Sequence, residues 1–459
     1  MIPLTLADVA ELTGGTLAHA DPATVVTGSV EFDSREITPG GLFVALTEGV
    51  NTDGHTYAAA AVERGAVAVI ASRDVGDTPA VMVSDTLTAL AALATGVHGR
   101  LPDAITIGIT GSSGKTSTKD MVAGLAARLG PTVAPPESFN NEIGHPHTVL
   151  RATADTRYLV LEKSARNIGH IAYLCGIARP RIGVVLNVGS AHAGKFGSKE
   201  AIAKAKGELV ESLPPAAEGG VAVLNADDPL VLGMRSRTVA RVVTFGQADS
   251  ADVRAVDVTL DEAARPAFTL VTASGQVPVR LAVHGAHQVG NALAAAAVAL
   301  ELGMALPDVA AALRELRAAS RWRMDVTVRP DGVTVINDAY NANPESMRAA
   351  LRALATIGAG RRRWAVLGHM AELGDTSEAE HESLGRFAAE TGIERVLAVG
   401  EDTAGIVRGD PRAEAVPDAA AALDLLRREL APGDVVLVKA SRAIKLERLA
   451  LALLEEGTG

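Results

Sequence analysis

The segment Thr110-Gly111-Ser112-Ser113-Gly114-Lys115-Thr116 gathers two glycines, a lysine and a threonine in one short loop. Such a loop offers backbone amides and a cation to a polyphosphate, and a hydroxyl to Mg²⁺. It follows the apolar run Ile105-Thr106-Ile107-Gly108-Ile109 and precedes a helical pattern over 117–129. Strand, loop and helix in that order aim a helix N-terminus at an anion. The general phosphate-loop spacing fails by one residue, because Ile109 stands where its first glycine belongs. A narrower pattern, T-G-x-x-G-K-T, fits. The expected ligand is ATP, held by Gly111, Ser112, Ser113, Gly114, Lys115, Thr116 and Ser117.

Other residues could complete that chemistry. Arg157-Tyr158-Leu159-Val160-Leu161-Glu162 reads as a strand ending in a carboxylate. Open α/β sheets bind ligands beyond the carboxyl ends of their strands. Glu162 is therefore a candidate Mg²⁺ ligand; the plainer alternative is an exposed strand-end acid. A strand over 182–188 runs into Gly189-Ser190-Ala191-His192 and brings His192 to the same edge. It is a metal ligand, a phosphate contact or a loop histidine without a role. His145, His147 and His170 lack the spacing of a zinc site.

The chain has nine lysines against 34 arginines, so a lysine inside an apolar pattern is informative. On a helix expected over 199–213, Lys204 pairs with Glu200 and Glu208 at four-residue spacing. Lys206, about 200° further round, falls on the stripe Ile202, Leu209, Leu213. There it needs an anion or a modification, becomes reactive through a lowered pKa, or snorkels from the stripe's edge. Asn291 opens an Ala-rich helix and could hold a nucleotide. Arg323, in Ser320-Arg321-Trp322-Arg323, could reach phosphate as domains close. Asp338 starts a dense polar cluster, Asp338 to Pro344, at another strand end.

These residues need elements to position them, and 459 residues suffice for about three domains. A small α/β domain is expected over 1–102, with strands at 29–32, 42–46 and 66–71 and helices at 57–64 and 86–98. A doubly wound parallel-sheet domain is expected over 103–319, with strands at 105–109, 157–162, 182–188 and 220–224. Its later part, 253–285, reads as β-rich and precedes helices at 289–302 and 307–318. A second, Rossmann-like α/β domain is expected over 320–459, with strands at 333–337, 364–367, 395–399 and 435–439. Hydrophobic residues make up 48% of the chain, enough for large cores. A net charge of −11 argues against nucleic acid or an anionic membrane as partner. One cysteine, Cys175, excludes an internal disulfide and fits a reducing cytosol. The start lacks a basic, apolar leader and no run resembles a membrane span, which predicts a cytoplasmic protein without membrane insertion.

Read in order, the motifs resemble the Mur ligase family across nearly the whole chain. Asp33-Ser34-Arg35, Leu42 to Leu46 and Asp53-Gly54-His55 look like its uridine-nucleotide domain. T-G-S-S-G-K-T, N-N-E-I-G (140–144), K-G-E (206–208) and N-A-D-D-P (225–229) look like its ATPase core. D-A-Y-N-A-N-P (338–344) and M-A-E-L-G (370–374) resemble the branch that adds D-alanyl-D-alanine.

The resemblance implies an ATP-dependent amide ligase of peptidoglycan-precursor synthesis, acting as a monomer on UDP-MurNAc-tripeptide and D-Ala-D-Ala through an acyl phosphate. It implies that Lys115 and Thr116 hold phosphates and one Mg²⁺, with Glu162 as the other protein ligand. It assigns a second Mg²⁺ to His192 and a carbamylated Lys206, phosphate to Arg323 and to Asn141 or Asn140, and the nucleoside to Asn291 and Asp338. Asp33, Ser34 and Arg35 fall to the UDP moiety. Lys163-Ser164 stand where the family usually has Met-Gly, and His369 and Ala193-Gly194-Lys195 are also unusual at their places. A Mur-type ligase for another amine or peptide, or a nucleotide-binding protein without turnover, would share these motifs.

Overall fold

A computed structural model describes residues 1–47, 52–189 and 196–455. Short apolar strands that alternate with helices must hide both faces, so they line up in parallel under helical layers. Three such sheets form. The first, in the order Thr16–Ala18, Ala80–Met82, Ala66–Ala71, Gly41–Val44, Val30–Glu31, is parallel except for its first pair. The central sheet has nine strands. Seven run parallel, in the spatial order Val253–Leu260, Arg241–Gly246, Val221–Asn225, Ile182–Val185, Ile105–Thr110, Tyr158–Glu162, Thr132–Val133. The antiparallel strands Pro266–Thr272 and Gly275–Arg280 extend one edge. The third sheet orders Asp325–Val328, Thr334–Asn337, Val435–Lys439, Arg363–Gly368, Arg395–Val399, Glu414–Val416; all but its first pair are parallel.

Strand Ile105–Thr110 lies between Tyr158–Glu162 and Ile182–Val185. The chain thus builds one side of the sheet, returns past its first strand and builds the other. A crevice opens where the winding reverses, and it opens at the carboxyl end of the strand that carries the phosphate loop.

Two expected elements end elsewhere for local reasons. The helix after the loop starts at Lys115, two residues early, because left-handed Gly114 (φ 79°) forms its N-cap. The strand from Ile182 stops at Val185, because Asn187 turns to bind the phosphate loop. Strand Arg241–Gly246 was not expected; it begins at an arginine and follows a short stretch that holds Arg235 and Arg237.

The first unit is fused to the second. One continuous core runs from Leu4, Val9 and Leu93 to Ile143, Leu159, Leu161 and Leu174. His147 also reaches Glu31 of the first sheet, Nε2 to Oε2 2.8 Å, with Phe32 and Phe139 edge-on to its ring. The third unit follows the junction Ser320 to Met324, where Trp322 and Met324 both adopt left-handed φ values of 58° and 56°.

Within the third unit, His381 anchors the segment 370–374. Its Nε2 accepts the Met370 amide at 3.0 Å, and its Nδ1 donates to Ser377 O at 2.7 Å. The unusual His369 stacks on it with ring centroids 5.1 Å apart. Burial lowers the His381 pKa below its ordinary value. Below about pH 6.5 the unfolded chain therefore takes the proton before the fold does, and stability falls as pH falls. His381→Gln should melt lower than the parent at pH 7.5, by the equivalent of roughly 1–2 kcal/mol. The gap should narrow at pH 5; thermal melts at both values check it.

Candidate active site at the junction of the central and C-terminal sheets

The phosphate loop is shaped by what leans on it. A Cβ on Gly111 would sit 2.9 Å from Leu186 Cβ, and one on Gly114 would collide with Asn291 Oδ1. Asn187 Oδ1 accepts the Ser112 and Ser113 amides at 3.0 and 2.9 Å. Helix Lys115–Ala126 has no side-chain cap on its N-terminus. Its first-turn amides have no intrahelical acceptor, so they and the helix dipole face the crevice as an anion site. Lys115 Nζ bends over the loop onto Gly111 O at 2.8 Å. Burial lowers the Lys115 pKa, Arg323 adds to this, and the carboxylates of Glu162 and Glu372 oppose it.

Beside the loop, Glu162 is buried with both oxygens engaged. Oε2 accepts from Thr116 Oγ1 at 2.9 Å, and Oε1 from Asn140 Nδ2 at 2.6 Å. Both donors are neutral, and among the described residues no lysine or arginine forms an ion pair with this carboxylate. A buried anion held only by neutral groups suits a cation. The donors are a hydroxyl and a carboxylate oxygen, which are hard ligands that suit Mg²⁺. No group of three metal-binding side chains exists among the described residues. Mg²⁺ commonly takes one or two carboxylates and completes its shell with phosphate and water.

Lys163 does not disturb this arrangement, because strand neighbours face opposite ways. Its Nζ lies behind the sheet and donates to Leu174 O at 3.0 Å and Ala178 O at 3.3 Å, with His145 Nε2 at 3.3 Å. The ammonium thus caps the carboxyl end of helix His170–Ile177, where a cation is favoured. Burial lowers its pKa to about 8. Ser164 faces the crevice and donates to Asn140 O through Oγ at 2.8 Å and through its amide at 3.0 Å.

The C-terminal unit closes the other wall. Arg323 donates to Ser138 Oγ at 2.8 Å, and its guanidinium lies 4.3 Å from the Tyr340 ring centroid. Asp338 accepts from Lys439 Nζ at 2.6 Å and from the Met324 amide at 3.1 Å. Asn291 accepts from Thr118 Oγ1 at 3.2 Å and donates to Gln288 Oε1 at 2.9 Å. Ser112, Ser113, Gly114, Lys115, Thr116, Ser117, Asn140, Glu162, Asn291, Arg323 and Asp338 all line one cavity of about 490 Å³.

Several expected residues lie outside that lining. Gly111 contributes a carbonyl beneath it. Asn141 starts the next helix instead, with Oδ1 accepting the Ile143 and Gly144 amides at 3.2 and 2.8 Å; its neighbour Asn140 is the one on the cavity. Lys206 is buried on helix Lys199–Glu211, not exposed at its edge. Burial first, and the Lys115 charge second, lower its pKa well below the ordinary value. His192 lies outside the described residues, as do Ala193, Gly194 and Lys195. In the first unit, Asp33 clamps Arg35 from a turn, Oδ1 to the Arg35 amide 3.0 Å and to Nε 2.9 Å, while Ser34 is buried. The Arg35 hydrogen bond holds the Asp33 pKa down at about 2. Asp53 and His55 brace their own turn, with Oδ1 2.9 Å from Nδ1.

Sequence reasoning missed Ser138, Asn187 and Lys439. Lys439 carried a signal, a lysine ending an apolar strand in a lysine-poor chain. Ser138 and Asn187 carried none.

Comparison with known proteins agrees with this architecture. The chain matches the Mur ligase family catalytic domain over residues 27–97, the Mur ligase middle domain over 109–299, and the Mur ligase glutamate ligase domain over 322–442. The chain belongs to the Mur ligase family. Among its relatives is the UDP-N-acetylmuramoyl-tripeptide–D-alanyl-D-alanine ligase of Mycobacterium tuberculosis, 51% identical over 100% of this chain and 99% of the relative. The enzyme of that name from Escherichia coli is 37% identical over 100% of both. A crystal structure of MurF from Acinetobacter baumannii superposes with a TM-score of 0.89 at 32% identity, covering 99% of each chain. MurF ligase from Thermotoga maritima in complex with ADP superposes at 0.82 with 30% identity, covering 94% of this chain and 98% of that one.

Gly114→Ala tests the loop geometry. The left-handed backbone would cost about 1–2 kcal/mol in strain, and the added methyl would displace Asn291. Calorimetric titration with ADP should show affinity reduced at least tenfold, with the melting temperature lowered by only a few degrees.

Proposed function

We propose that this chain is an ATP-dependent amide ligase that joins D-alanyl-D-alanine to UDP-N-acetylmuramoyl-tripeptide, giving UDP-MurNAc-pentapeptide, ADP and phosphate. The observation that carries the reading is one cavity that unites an uncapped helix N-terminus, Lys115, the Thr116–Glu162 oxygen pair and Arg323 from the third unit. Among the described residues no helix is long and apolar enough to cross a membrane. ATP and a UDP-linked substrate support a reaction in the cytoplasm.

A carboxylate is a poor electrophile, so the ligase first gives it a leaving group. The peptide carboxylate attacks the γ-phosphorus, the bond to the ADP oxygen breaks, and an acyl phosphate forms. The amine of D-Ala-D-Ala then attacks the acyl carbon, phosphate departs and the amine proton is lost. Lys115 and the amides of Gly114 to Ser117 hold the phosphates. Arg323 approaches them from the opposite wall and screens the two anions that must meet. Asp338 and Asn291 orient the nucleoside, and Asn140 reaches phosphate beside Glu162. Thr116 and Glu162 would hold one Mg²⁺, which supplies charge neutralisation at the phosphates.

Lys206, whose pKa burial draws well below its ordinary value, is suited to add CO₂ at Nζ with loss of a proton. The resulting carbamate and His192 would hold a second Mg²⁺. The first unit, through Asp33, Ser34 and Arg35, receives the UDP moiety.

Purified protein should release ADP from ATP with UDP-MurNAc-tripeptide only when D-Ala-D-Ala is present. Turnover with a different amine alone would reassign the acceptor. Lys206→Ala should lose at least 100-fold in kcat, as expected when a group stabilising transition-state charge is removed. A small carboxylate should partly restore it and bicarbonate should not. Unimpaired Lys206→Ala would refute the carbamate.

A further inference from the structure

Ser138 belongs to none of the motifs, yet it stands between two walls of the cavity. Its Oγ accepts from Arg323 at 2.8 Å and lies 2.7 Å from Thr116 Oγ1. Proton counting sets the direction of these bonds. A guanidinium only donates, and a hydroxyl has one proton. Thr116 spends its proton on Glu162 Oε2 at 2.9 Å, so the Ser138 proton must go to Thr116. The result is a directed chain from the Arg323 N–H through the Ser138 O–H and the Thr116 O–H to Glu162 Oε2. Glu162 Oε1 is fixed from the other side by Asn140, which Ser164 holds in turn.

We propose that Ser138 is a positioning residue that couples docking of the C-terminal unit to the geometry of the Thr116–Glu162 pair. Arg323 sits in the junction itself, between left-handed Trp322 and Met324, and stacks on Tyr340 of that unit, so its place depends on how the unit docks. When it is seated, the Ser138 hydroxyl is oriented and Thr116 turns a lone pair toward the crevice. When it is not, Ser138 can donate elsewhere and the Thr116 hydroxyl is free to rotate. The metal-holding oxygens are thus assembled only in the closed arrangement, a form of induced completion of the site. The Ser164 hydroxyl, where the family usually has glycine, stiffens the far end of the same chain.

The inference rests on Thr116 and Glu162 holding a divalent cation, and the test separates the two ideas. Mn²⁺ binding to the full-length protein saturated with ADP is read by electron paramagnetic resonance, alongside melting temperature. Ser138→Ala should weaken Mn²⁺ binding about 5–10-fold, the scale of losing a charge-assisted and a neutral hydrogen bond. Arg323→Lys should weaken it as well, and the double variant should be no worse than the weaker single one. Multiplying effects in the double variant, or Mn²⁺ binding unchanged by Ser138→Ala, would overturn the coupling. Glu162→Gln is the control: if it too leaves Mn²⁺ binding unchanged, the metal assignment fails and the coupling with it. If it alone weakens binding, the coupling alone fails.

Discussion

A carboxylate buried at a strand end, held on both oxygens by neutral donors, sets the terms for the structure around it. Taking Glu162 out of water is costly unless a cation and well-aimed hydrogen bonds compensate. Thr116 must therefore lie on the first turn of the loop helix, which places the loop. Asn140 must approach from the other side, which fixes the segment between Pro135 and Gly144. The parallel register of Tyr158–Glu162 against Ile105–Thr110 brings Glu162 opposite Ile109, one residue from the loop. Secondary structure, winding order and side-chain chemistry thus meet at one oxygen pair.

Five of the nine lysines have found distinct uses near this point. Lys115 serves the anion site. Lys119 is buried on the same helix, tied to Pro135 O at 2.8 Å and to Asp120. Lys163 caps a helix behind the sheet, Lys206 is a desolvated amine, and Lys439 pins Asp338. An ammonium is too expensive to bury without a task. In a chain that otherwise relies on arginine, burial of lysine marks places where a compact, adaptable cation is required.

Much of this was legible in the residues. Strand Ala66–Ala71 and the strands carrying the loop and Glu162 are short apolar runs with polar punctuation, so periodicity located them. The loop itself announced its ligand because glycine, lysine and threonine leave few other readings. Helical spacing put Lys206 on the packed stripe but left snorkelling open, and the fold shows it buried. Other features could not be read. Asn140 and Asn141 are adjacent and identical in type, and only the fold shows that one caps a helix while the other meets Glu162. Ser138 matters through partners 22 and 185 residues away, Thr116 and Arg323. No local pattern encodes such a contact. Lys163 departs from the family pattern beside Glu162; strand alternation already allowed it to face away, but only the fold shows it capping a helix behind the sheet.

The core shared between the first and central units has a mechanical meaning. By sequence the chain has three parts, but hydrophobic continuity from Leu4 to Ala178 welds two of them into one body. Sliding these against each other would expose close-packed leucines, whereas the junction Ser320 to Met324 carries only a few residues and two left-handed turns. The first and central units thus form one body, and the third is joined to it through the junction and through polar contacts such as Asn343 Nδ2 to Ser112 O and Arg323 to Ser138 Oγ. A substrate anchored on the first unit, as proposed, would be held at a constant reach from the phosphate loop, and that reach would work as a ruler for the length of peptide between its anchor and its reacting carboxylate.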